Sequence, residues 1–139
     1  MSVRFKILPE TNLVYVLCSG EVTIDETLDS FSAYAMHKEF KPGQNQMIDL
    51  SQVTGYERDF PRIMALQAEQ ADVFLSTGKR PHLIFVAPTP LTQSMAMTAL
   101  RSWQQLEGAL PVVVQTIPEA LDILGLDATI VAQLPSQVA

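Results

Sequence analysis

The order of periodicities along this chain predicts an α/β domain: a five-stranded mixed, mainly parallel sheet started by a β-hairpin, with about four helices. Three observations carry the expectation. Two strand-like runs flank a short turn near the start, and from there helical and strand-like segments alternate to the end. Most of the helical segments open on a capping residue and end at a Gly or Pro, so the boundaries are written locally.

Val3, Phe5 and Ile7 alternate with Arg4 and Lys6, the period of a half-exposed strand. Pro9-Glu10-Thr11-Asn12 supplies turn chemistry, and Leu13 to Ser19 reads as a second, more buried strand. So short a connection joins antiparallel neighbours, hence the hairpin. Gly20 ends or bends the second strand. Thr23-Ile24-Asp25-Glu26 is a capping box, and Ile24, Leu28, Phe31 and Ala35 follow at helical spacing. Gln46 to Leu50 reads as a third strand and Ser51 to Arg58 as a polar loop. Asp59 caps a second helix whose expected buried stripe is Phe60, Ile63, Met64, Ala71, Phe74 and Leu75, with Gly78 as its stop.

His82 to Ala87 is apolar on both faces, as a central parallel strand should be. Thr89 and Pro90 open a third helix running to about Leu106, with Leu91, Met95, Ala99, Trp103 and Leu106 inward. Val112 to Ile117 reads as a fifth strand and Pro118 to Leu124 as a last helix stopped by Gly125. The expected organisation is one domain over residues 1–126, with 127–139 a C-terminal extension, partly helical or frayed.

Composition narrows the function classes. With 15 acidic and 9 basic residues in 139, the net charge is -6, and the chain lacks the basic surface that nucleic acid or an anionic membrane selects. No apolar run approaches the ~20 residues of a membrane span. A single cysteine, Cys18, forms no intrachain disulfide, and with no secretory leader in view the expected location is cytoplasmic. His37 and His82 have no ligand-spaced partners, so no metal is expected. Neither a phosphate-binding Gly-rich loop nor a Gly-x-Ser-x-Gly elbow is present, so no cofactor and no catalytic residue are assigned.

With Asp49-Leu50-Ser51-Gln52-Val53 at the end of its third strand and Gly20-Glu21-Val22-Thr23 leading into a capped helix, the chain resembles the STAS family and the wider SpoIIAA-like group. The bacterial members of that family include anti-sigma factor antagonists. The resemblance spans nearly the whole chain in element order. It implies a STAS-like fold and a non-enzymatic regulatory or protein-interaction module in the bacterial cytoplasm. In the antagonists, the loop after this segment runs into Asp-Ser-Ser-Gly, where a partner kinase phosphorylates a serine. Here Glu57-Arg58-Asp59-Phe60 stands in its place, so the acceptor serine is absent and Asp59 occupies its position if the spacing carries over. The same architecture in SEC14-like lipid-binding domains implies an alternative, a carrier or sensor of a small apolar ligand. Its pocket would be lined by Met64, Phe74, Met95 or Trp103.

The candidate ligand- or partner-binding residues follow from position. Asp49, Ser51, Thr54, Tyr56 and Asp59 lie after a parallel strand, where α/β sheets bind ligands. Thr89 opens a helix, whose free N–H groups attract anions. Each also has a plainer use: Asp49 and Ser51 as turn formers, Asp59 and Thr89 as caps. The apolar tail from Ala128 to Leu134 leaves room for a homodimer.

Overall fold

Side-chain alternation and backbone pairing agree from the first residues onward. In the computed structural model, which describes residues 2–75, 80–104, 106 and 108–134, β1 (Val3–Leu8) and β2 (Leu13–Val22) pair antiparallel. The 3₁₀ turn Pro9–Thr11 joins them and Asn12 closes it at φ 54°, a left-handed conformation that Asn tolerates. β3 (Asn45–Tyr56), β4 (His82–Val86) and β5 (Leu110–Val114) add in parallel, giving the order β1-β2-β3-β4-β5. This is the expected α/β class: a mixed, mainly parallel five-stranded sheet started by a hairpin. Gly78 and residues 135–139, to which the sequence assigned a helix stop and part of a C-terminal extension, lie outside the described residues.

Three strands differ from expectation, the first in that β2 runs past Ser19 to Val22. Ser51 to Tyr56, expected as a loop, continues β3: Ser19, Gly20, Glu21 and Val22 of β2 pair with Gln52, Val53, Gly55 and Tyr56. A strand needs only backbone partners, and β2 supplies them although β4 has already ended opposite Asp49. The pairing shifts register on both sides of Gly20, whose φ of 67° suits a residue without a Cβ. At the other edge, β5 begins at Leu110 and contains Pro111, which a sheet edge accommodates because only one side of the strand must donate. Ile117, expected in that strand, is the first residue of a helix.

The helices are α1 (Ile24–Ala35), α2 (Phe60–Leu75), α3 (Pro90–Trp103) and α4 (Ile117–Leu124). Their starts are capped by side chains: Thr23 accepts from the Glu26 N–H, Asp59 from Arg62, and Thr116 from Glu119. Thr89 and Thr92 form a reciprocal capping box, with bonds of 3.0 and 3.1 Å. Gly125, left-handed at φ 68°, stops α4.

Three crossovers advance across the sheet in the same direction. With the usual right hand, this places α1, α2 and α3 on one face. α4 follows the edge strand and packs on the other face. That second face is solid: Leu13, Tyr15, Leu17, Met47 and Ile84 are buried there with Leu121 of α4 and Ile130 of the 3₁₀ helix Ala128–Gln133. The first face carries Cys18, Leu50, Leu83 and Phe85 against Ala71, Phe74, Ala96 and Trp103. It is not filled.

Candidate functional site

Central strands under a helical layer should be fully covered. Val16 of β2 and Ile48 of β3 are only half-buried although both point towards α1, α2 and α3. The reason is a cavity of about 180 Å³ between the three helices and this sheet face, partly open to solvent. It exceeds the void of roughly 150 Å³ that suffices to hold benzene in an apolar core.

The helix faces explain the void. α2 turns inward Ile63, Leu66, Gln67, Gln70, Ala71 and Phe74, a spacing of three and four. Phe60 and Met64, expected in the buried stripe, are instead 51% and 47% exposed. The phase differs because two glutamines occupy inward positions, where a count of apolar residues passes over them. α1 likewise presents Thr27, Ser30, Phe31 and Tyr34 to the cavity, rather than the expected Leu28 and Ala35. α3 contributes Met95, Ala99 and Trp103, as its pattern predicts. Of the four residues named for an apolar-ligand pocket, Phe74, Met95 and Trp103 line this one and Met64 does not.

Most polar groups on the wall are already engaged. Tyr34 Oη donates to Gln44 Oε1 at 2.7 Å, Thr27 Oγ1 to the Thr23 carbonyl at 2.8 Å, and Thr98 Oγ1 to the Ser94 carbonyl at 3.0 Å. Burial pushes the Tyr34 phenol up to about 12. Cys18 on the floor is pushed to about 12 as well, first by burial and then by the nearby Asp49 carboxylate, so the thiol stays neutral. Glu57 is the one charged lining residue among those described. Its Oε1 accepts from the Ile24 N–H at 3.0 Å and its Oε2 from Arg62 at 3.2 Å, while Arg62 also reaches Asp25 at 2.6 Å. These bonds tie the start of α1 to the end of β3 and the start of α2.

Gln67 differs from the other polar lining residues. It is 4% exposed, its Nε2 donates to the Ala99 carbonyl at 3.4 Å, and its Oε1 is buried without a hydrogen-bond partner. No residue of the sequence reading pointed to it. The available signal was a glutamine placed four residues after Ile63 and seven before Phe74 on an otherwise apolar face.

The six residues singled out from sequence are not gathered into one place. Asp49 is 0% exposed and lies on the solid face, accepting from Tyr15 Oη at 2.5 Å and from the Ser51 N–H at 3.0 Å. Ser51 Oγ is buried without a partner, and Thr54 is exposed. Asp59 and Thr89 cap α2 and α3. Only Tyr56 lines the cavity; its Oη meets Ser94 Oγ at 3.2 Å, and the Arg58 guanidinium sits 4.8 Å from its ring centre. Among the described residues, no cluster of His, Cys, Asp and Glu could hold a metal ion, and no helix is long and apolar enough to cross a membrane.

No protein-family model matches the chain, and no curated protein matches it. Solved structures similar to it include two with this arrangement. One is the anti-sigma factor antagonist SpoIIAA in its unphosphorylated form, at 12% identity and a TM-score of 0.53, covering 88% of this chain and 97% of that one. The other is an uncharacterized protein of the DUF3478 family with a SpoIIAA-like fold from Shewanella loihica PV-4, at 14% identity and a TM-score of 0.57, covering 88% of this chain and 91% of that one. The chain therefore has the SpoIIAA-like fold that its element order suggested.

Proposed function

We propose that this protein is a non-enzymatic module that binds a small apolar ligand in the cavity beneath α1, α2 and α3, as a carrier or sensor. The observation that carries the reading is the cavity itself: about 180 Å³ lined mainly by apolar side chains, against an opposite face packed solid. A protein that only needed a stable sheet would collapse such a void, because each Å³ costs about 24 cal/mol. By comparison with known cavities, the occupant has roughly six to ten carbon atoms. Native mass spectrometry of the purified protein, with thermal unfolding in the presence of benzene, indene or 1-octanol, tests it. A ligand at 100 times its Kd adds about 2.7 kcal/mol and raises the unfolding temperature. No retained small molecule and no shift with any of the three would remove the reading.

A second reading has its own observation. Phe60 and Met64 stand exposed on the outer side of α2, beside Asp59, and suit a protein-interaction surface of the regulatory kind. It predicts that Phe60→Ser with Met64→Ser abolishes partner binding and leaves indene binding intact.

A further inference from the structure

The floor of the void has a direction. Backbone pairing sets Phe5 of β1 beside Val16 of β2, Val16 beside Ile48 of β3, and Ile48 beside Phe85 of β4. These four side chains form one row across the strands, and all four line the cavity. Two residues along each strand to one side, Val14, Gln46 and Leu83 form a second row; to the other side lie Val3, Cys18 and Leu50. Every member of the two flanking rows is buried, at 5% exposure or less. In the middle row Val16 and Ile48 are half-buried although they sit on interior strands, so the free space runs above that row and closes on either side of it. The roof agrees: Phe31 of α1, Gln70 of α2 and Met95 of α3 border the same space, which therefore passes beneath three helices rather than along one.

We infer that the ligand is an unbranched aliphatic chain laid across the strands, from Phe5 at one end to Phe85 at the other. The inference rests on the cavity being a ligand site and adds the shape that the site selects. From β1 to β4 the row crosses three strand spacings of about 4.8 Å, or ~14 Å in all. A space of about 180 Å³ drawn out over such a span is long and thin. A straight chain meets Val16 and Ile48 along its length, whereas a rounded molecule of equal carbon number must push aside the flanking rows, which close packing resists. The two phenylalanines set the length: beyond Phe5 lies the sheet edge, and beyond Phe85 the row continues into Val113 of β5.

The probe pair is 1-octanol and cyclooctanol, which share their carbon count and hydroxyl and differ in shape. Binding is read from the emission of Trp103, the chain's one tryptophan, which lines the cavity. The wild type is expected to bind 1-octanol about tenfold more tightly than cyclooctanol. Phe5→Ala opens one end of the row, with Phe85→Leu at the other end as the second variant should the first fail to fold. Either is expected to raise the ratio of 1-decanol to 1-hexanol affinity above that of the wild type. Cyclooctanol binding as tightly as 1-octanol, or a ratio that stays level or falls in the variant, overturns the chain and its orientation while leaving the cavity as a ligand site. If no alcohol binds the wild type, and neither benzene nor indene does, the cavity reading falls and the inference with it.

Discussion

Ala99→Leu separates a cavity kept open for a ligand from ordinary loose packing. Ala99 lies on the inward side of α3, half-buried, at the wall of the void. The substitution adds three carbons, worth about 0.8 kcal/mol each when buried, or some ~2.4 kcal/mol. Against this stands roughly 1 kcal/mol for imperfect fit. The expected net gain is ~1–1.5 kcal/mol, which for a chain of 139 residues raises the unfolding temperature by about 4–6 °C. Circular dichroism melts measure that shift, and the same samples titrated with indene should show at least a tenfold loss of affinity. Stability and binding thus move in opposite directions, as expected where a site is held against the interest of the fold. A melting temperature lowered by several degrees, with indene affinity unchanged, would show that the space beside Ala99 is not the binding space.

Three further outcomes follow from the same geometry. Asp49→Ala strips the buried Tyr15 hydroxyl and the Ser51 N–H of their acceptor, so urea unfolding should show a loss of roughly 2–3 kcal/mol; indene affinity should hold, because Asp49 lies on the solid face. Cys18 and Tyr34 have folded pKa values of about 12, raised by burial from 9.0 and 10.0. Both are acids whose neutral form the fold favours, so their contribution is complete below pH 9 and is lost as pH rises towards 12; stability that stays flat across that window in denaturant titrations would refute the burial of both groups. Arg62→Ala cuts the exposed links to Asp25 and Glu57, so equilibrium stability should hardly move, while stopped-flow release of indene should quicken at low salt and match wild type at high salt.

Much of the architecture was legible because strands and helices announce themselves by period. Val3 to Ile7 alternates, His82 to Ala87 is apolar throughout, and Thr23, Asp59 and Thr89 each cap the helix they precede. The second half of β3 was not legible. Ser51 to Tyr56 holds Ser, Gln, Thr and Gly, which read as turn formers, while the pairing that makes them a strand comes from β2, some 30 residues away. The site was harder still. Asp49 stood out for its position at a strand end, yet alternation sends its side chain to the face opposite the cavity, where it serves the fold. Gln67 escaped notice because a single amide on a helix is ordinary until the neighbours are known. Its setting, one half of the amide bonded to the Ala99 carbonyl of α3 and the other buried without a partner, comes from a helix some 30 residues away, which no local pattern encodes.

The contrast between the two faces of the sheet has a consequence for how the protein can change over time. Strand register is held from below by Leu13, Tyr15, Met47 and Ile84, locked under α4 and the turn around Ile130. The upper layer can therefore be rebuilt residue by residue without putting that register at risk. Substitutions at Met95, Ala99 or Gln70 would reshape the cavity while the sheet beneath kept its form. Descendants of one such fold could then part ways in what they hold while remaining superimposable strand for strand, and their amide hydrogens would exchange fastest in the layer that differs.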